Sequence, residues 1–122
     1  MTQTTVKSLV STVPEAEALA CDLSAMTPDQ RQRHEQAFEK LNSIRQSVLE
    51  LPDGYAWQFP GDTDTGFVVA EFMLMEHLCC PFFRFTLEVE PGHGSIWLRF
   101  TGSEQVKEFL DVQTSFGNSA VD

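Results

Sequence analysis

Cys79 and Cys80 are adjacent in the run Glu76-His77-Leu78-Cys79-Cys80-Pro81-Phe82-Phe83, where an apolar helical pattern gives way to an aromatic alternating one. Successive α-carbons across a trans peptide lie about 3.8 Å apart, against roughly 4.4–6.8 Å in an unstrained disulfide. The two are therefore read as separate thiols or as two metal ligands, not as a mutual bridge. On a helix, Glu76 precedes Cys79 by three residues, which sets a carboxylate and a thiol on one apolar face with Phe72 above them. Pro81 disfavours helical geometry for Cys80, so its side chain diverges from that of Cys79 and the pair can grip one ion from two directions. Cys21, turned inward on a neighbouring strand, completes a three-thiol pocket.

Electrostatics decides what such thiols do. A helix C-terminus carries partial negative charge, and the chain has 18 acidic against 8 basic residues; both oppose a spontaneous thiolate. A bound cation supplies the missing positive charge and deprotonates its thiol ligands, so the same surroundings suit a metal centre. Soft thiolates select Cu(I) and Zn(II) and, by the same softness, the heavy metal Hg(II) or the metalloid As(III). The candidate ligands are Cys21, Glu76, Cys79, Cys80 and, from the apolar face of the preceding helix, His34. Glu76 is read as a fourth ligand or as a base behind the thiols; in a purely structural role it would pair with a cation such as Arg84. His77, about 100° round the helix from Glu76, and His93, in the turn Pro91-Gly92-His93-Gly94, are weaker candidates. The expected role is sequestration, sensing or delivery of a soft metal or metalloid ion.

Two other classes compete with this reading. One is a thiol-dependent redox or Cys-nucleophile enzyme with His34 or His77 as base, although no third orienting group can be named. The other is a structural interaction domain whose cysteines are packing residues, as free cysteines commonly are, with Trp97, Arg84 and Arg99 forming the contact surface of a homodimer. There is no Ser-His-Asp arrangement, glycine-rich phosphate loop or Cys-x-x-Cys pair. The eight cations form no cluster or stripe, which argues against nucleic acid and against an anionic membrane surface. With no apolar run of membrane-spanning length and no signal-like segment at the start, a cytoplasmic protein is expected. Its three cysteines, an odd number, are then expected as thiols and not as a disulfide framework.

These residues need elements to position them. A 122-residue chain that is 42% apolar and holds ten phenylalanines can bury one core without staples. A leader over 1–16, a single domain over 17–116 and a frayed tail over 117–122 are expected. Alternation of Leu19, Cys21 and Leu23 suggests a short first strand. Thr27-Pro28-Asp29-Gln30 starts a helix, and an apolar face of His34, Phe38, Leu41, Ile44, Val48 and Leu51 carries it to about Glu50, before Pro52-Asp53-Gly54 turns the chain. Tyr55, Trp57 and Phe59 then mark a strand. A second helix runs from the capping residues Asp62, Thr63 and Thr65 through Val69 and Phe72, and stops near Cys79. A hairpin follows, with Phe83, Phe85, Leu87 and Val89 facing Ile96, Leu98 and Phe100 on its dry side. Thr101-Gly102-Ser103-Glu104 reads as a capping box for a last helix. The class is α+β in two layers, with helices packed on one face of a small, mainly antiparallel sheet of three or four strands.

Four segments together resemble a known group: Cys21-Asp22-Leu23-Ser24, Leu51-Pro52-Asp53-Gly54-Tyr55, Glu76 through Phe85, and Ile96 through Gly102. They are similar to a family of small, largely uncharacterised bacterial proteins with a Glu-x-x-Cys-Cys-Pro-Phe core. Similar segments are appended to some MerR-type metal-responsive regulators. The resemblance spans roughly residues 18–112 and implies that Cys21, Glu76, Cys79 and Cys80 belong to one site. No helix-turn-helix is evident, so it implies a sensor or ligand-binding module standing alone and no regulator function.

Overall fold

Thr27 starts the first helix, α1 (Pro28–Ile44), with the expected capping box: its hydroxyl oxygen accepts from the Gln30 N–H, and the Gln30 side chain accepts from the Thr27 N–H. The computed structural model describes residues 19–113; the expected leader (1–16) and tail (117–122) lie outside them. After α1 come β1 (Ser47–Leu51), β2 (Gly54–Phe59), α2 (Thr63–Cys79), β3 (Arg84–Val89), β4 (Ile96–Thr101) and α3 (Glu104–Val112). The four strands form one antiparallel sheet in the order β1-β2-β4-β3.

Register aligns the apolar side chains in rows across the sheet. Tyr55 lies opposite Phe100 and Phe100 opposite Phe85; Trp57, Leu98 and Leu87 make the next row. Alternation puts all of them on one face, and the helices cover it. Phe38 of α1 and Phe72 of α2 both stack near Trp57, while Phe109 of α3 meets Phe83. Trp57, Phe59, Phe72, Leu98 and Phe100 are fully or almost fully buried, so the core is the seam between sheet and helices. This is the two-layer α+β arrangement that the patterning implies. No described helix is long and apolar enough to cross a membrane.

Four details differ from the sequence reading. The segment around Cys21 is irregular and leads into a 3₁₀ turn at Leu23–Ala25, not a strand. The first helix stops at Ile44 instead of near Glu50, because Ser47–Leu51 pairs residue for residue with Gln58–Gly54. Spacings of three and four through Val48 and Leu51 suit a helix, but Pro52-Asp53-Gly54 is the turn of a β1–β2 hairpin, and strand pairing overrides local periodicity. Gly54 is required there, since a Cβ would fall 1.7 Å from the Phe100 carbonyl oxygen. In α3 the cap is Ser103, whose hydroxyl oxygen accepts from the Val106 N–H, while Thr101 still belongs to β4. Finally, β3 is an edge strand: Phe83 is buried, but Leu87 and Val89 are exposed beyond the reach of the helix layer.

A polar cluster ties α3 to the sheet. The Tyr55 hydroxyl donates to Asp111 Oδ1, and Lys107 Nζ donates to Asp111 Oδ1 at 2.7 Å and to Glu50 Oε2 at 2.6 Å. Burial first, then the bond to Asp111, pushes the Tyr55 phenol up to about 12. The unfolded value is about 10, so this contribution to stability is complete below pH 10 and is lost as pH rises from about 10 to 12. Tyr55 is the single tyrosine in the chain, so phenolate absorbance reports it alone. In a spectrophotometric titration of folded protein we expect the midpoint near pH 12, and a lower midpoint for Asp111→Asn. A midpoint near 10 while circular dichroism still shows native structure would contradict the bond.

Candidate metal centre

Helix α2 sets out most of the site. Asp62 caps it, its side chain accepting from both the N–H and the hydroxyl of Thr65. From that start Thr65, Val69, Phe72, Glu76 and Cys79 fall at spacings of three and four, and all are buried. Glu76 and Cys79 thus share the inner face, as their spacing predicts. The helix ends at Cys79, and Cys80 leaves helical geometry at φ −130°, ψ 68°, with its N–H donating to the Glu76 carbonyl at 2.8 Å. Pro81 is the reason: its ring disfavours the α region for the residue before it.

Cys21 arrives from the other end of the domain. The Asp22 N–H donates to the Cys79 carbonyl at 2.8 Å, one of the last orphan carbonyls of α2, and this holds the 21–22 segment against the helix end. Cys21 and Cys80 are joined there in a disulfide with α-carbons 4.7 Å apart, 59 residues separated in sequence. This corrects the expectation of three thiols. The exclusion of a Cys79–Cys80 bridge stands, but an odd count leaves room for one long-range pair plus one thiol.

Cys79 is that thiol, and it is buried. Its Sγ lies 3.6 Å from Cys80 Sγ and donates to the Glu76 carbonyl oxygen at 3.6 Å. The Glu76 carboxyl, only 8% exposed as a residue, splits its two oxygens. Oε2 lies 3.6 Å from Cys80 Sγ, while Oε1 is 2.7 Å from His34 Nε2. An ionised carboxylate only accepts, which makes Nε2–H the donor. The imidazole stacks on Phe72 with centroids 4.7 Å apart and planes 12° from parallel, and its Nδ1 is buried without a hydrogen-bond partner.

Of the sequence-predicted ligands, Cys21, Glu76, Cys79 and Cys80 offer donor atoms that all lie within 4.8 Å of one another, a group able to hold a metal ion. His34 stands behind Glu76 and outside that group. It, and not the exposed Arg84, is the partner that a buried Glu76 requires. His77 packs edge-on against Phe85 instead, with centroids 6.0 Å apart. A pocket of about 270 Å³ opens beside the sulfurs, lined by Cys21, His34, Phe72, Glu76, Cys79 and Cys80 among others. The backbone bond from Asp22 was not foreseen; a contact between segments so distant in sequence leaves no local signature.

Burial, and secondarily the Glu76 charge, pushes the Cys79 thiol up to about 11. The thiolate is then about two to three decades scarcer at neutral pH than for an ordinary thiol near 8.5. We expect iodoacetamide to modify Cys79 in the native protein about a hundredfold more slowly than in urea, as followed by intact mass. Native alkylation as fast as unfolded alkylation would contradict the buried, charge-opposed thiol. Comparison with models of protein families, with curated proteins and with solved structures finds no match to this chain.

Proposed function

We propose that the reduced chain binds one soft metal or metalloid ion through Cys21, Cys79 and Cys80, with Glu76 Oε2 as the fourth donor. The observation that carries this reading is the convergence of four donor atoms within 4.8 Å. Tetrahedral Zn–S bonds of about 2.3 Å imply neighbouring sulfurs roughly 3.8 Å apart. The 3.6 Å from Cys79 Sγ to Cys80 Sγ is already close to that value. Only the Cys21–Cys80 bond must open, which takes two electrons and two protons, both from a pair of thiols that become a disulfide, or the electrons from a phosphine that becomes its oxide and the protons from water. The oxidised chain lacks two of the donors, so reduction governs whether the site can load. Sequestration, sensing or delivery are the roles such a site suits.

The thiol-enzyme alternative is less well supported. A nucleophilic cysteine needs a depressed pKa and a nearby positive charge, whereas Cys79 is shifted upward and faces a carboxylate. The test is titration of tag-free protein with Zn(II) and with Hg(II). Reduced wild type should take up about one equivalent in the site, and oxidised wild type and the reduced Cys79→Ala/Cys80→Ala variant should take up none there. Equal uptake by reduced wild type and variant would overturn the proposal.

A further inference from the structure

Strand β3 leaves one edge of the sheet open, and three independent features of that edge match a second copy of itself. The first is hydrogen-bond phase. The Glu90 N–H donates to the Ser95 carbonyl at 3.0 Å, and Glu90 continues the β3–β4 register. In an antiparallel ladder the bonded residues alternate, so the backbone groups of Arg84, Thr86 and Glu88 face β4. Those of Phe85, Leu87 and Val89 face outward, with no strand beyond them among the described residues.

The second feature is charge. Two β3 strands related by a twofold axis at Thr86 would set Arg84 against the second copy's Glu88, and Phe85 against its Leu87. In that register Phe85 and Leu87 exchange reciprocal pairs of backbone bonds, in the phase the free edge offers. Arg84 is exposed, and Glu88, which accepts from Arg99 at 2.8 Å, would be shared between the two arginines. The other edge strand has no such complementarity: the only charge in β1 is Glu50, which is held by Lys107.

The third feature is apolar surface. Leu87 and Val89 are exposed on the helix-bearing side, Val89 to 63%. The adjacent helix carries a further stripe of Phe67, Leu74 and Leu78 at spacings of seven and four, with Phe67 72% exposed. The contact of His77 with Phe85 places that helix beside the β3 edge. Solvated, unprotected edges of this kind are usually blunted or paired.

We infer that the chain forms a homodimer by antiparallel pairing of β3 with β3, which joins two four-stranded sheets into one and covers Leu87 and Val89. The Trp97 face of the sheet, proposed from sequence as the contact surface, is not needed for it. This inference is independent of the metal reading.

Sedimentation equilibrium of the tag-free full chain tests it, with a phosphine reductant present to exclude intermolecular disulfides. Wild type at high micromolar concentration should give twice the 13.7 kDa chain mass. Leu87→Lys should give the single mass, and Arg84→Glu, which sets like charges across the seam, should weaken the dimer by about tenfold. Leu49→Lys, on β1, should stay dimeric. These side chains are exposed, so far-UV circular dichroism should be unchanged in each variant. A monomeric wild type, or a Leu87→Lys protein with the mass of a dimer, would overturn the inference.

Discussion

Reduction of the protein should lower its thermal unfolding midpoint by on the order of 10–20 °C, and one equivalent of Zn(II) or Hg(II), added after the reductant is removed without air, should return most of that loss. The disulfide closes a loop between residues 59 apart. In the chain-entropy account a loop of that length restricts the unfolded ensemble by about 4 kcal/mol. For a domain of this size each kcal/mol moves the midpoint by roughly 3–6 °C, which gives the expected drop. A metal ion held by Cys21 together with Cys79 and Cys80 closes the same loop through coordination. Its stabilisation grows with concentration over Kd, reaching about 4 kcal/mol a thousandfold above Kd. Calorimetry of oxidised, reduced and reduced metal-loaded protein gives the comparison. Cys21→Ala should melt near the reduced wild type whether or not reductant is present, and metal should restore it less. An unchanged midpoint on reduction removes the loop-closing role of the disulfide. A drop that metal does not reverse removes the bridging role of the ion.

Sequence and structure agree where chemistry is local and part where it is long-range. The inner stripe of α2 was legible because spacings of three and four are themselves the geometry of a helix face, and its end was legible because Pro81 constrains Cys80 alone. The grouping of Glu76 with Cys79 and Cys80 follows directly. Strand β1 was not legible, since Val48 and Leu51 continue the apolar spacing of α1 and only the partner strand decides their state. The partner of Glu76 shows the same limit from the other side. A carboxylate on an apolar face announces that it needs a donor, but which one depends on how α1 crosses α2, and the crossing selects His34 over Arg84. The pairing of Cys21 with Cys80 follows from how the 21–26 segment docks on the helices, through the Asp22 N–H to the Cys79 carbonyl, the Arg31 guanidinium to the Leu23 and Met26 carbonyls, and the buried Met26, and no local pattern encodes that docking.

Because Glu76 divides its oxygens between His34 and the sulfurs, stability and metal affinity should respond to different substitutions. His34→Phe preserves a ring to stack on Phe72 but leaves Oε1 without a donor at a residue only 8% exposed. Breaking a buried pair by removing one partner typically costs about 3–5 kcal/mol, and the slight exposure here places the expected loss near the lower end, about 3 kcal/mol in urea denaturation of the metal-free protein. Glu76→Gln keeps an oxygen for the Nε2–H donor, so its stability loss should be smaller, about 1 kcal/mol. In the double variant the amide replaces the stranded charge, and His34→Phe should cost less than it does alone, a positive coupling that a double-mutant cycle measures. Metal affinity should rank the two single variants in the opposite order. Glu76→Gln removes the anionic donor that faces Cys80 Sγ at 3.6 Å, whereas His34→Phe removes only the group that orients it. Losing an orienting partner typically weakens a metal site by about 10–100-fold, and loss of the charged donor should exceed that. If the two variants rank alike in both measurements, Glu76 serves only as the hydrogen-bond partner of His34, and the sulfurs alone must account for any ion the protein holds.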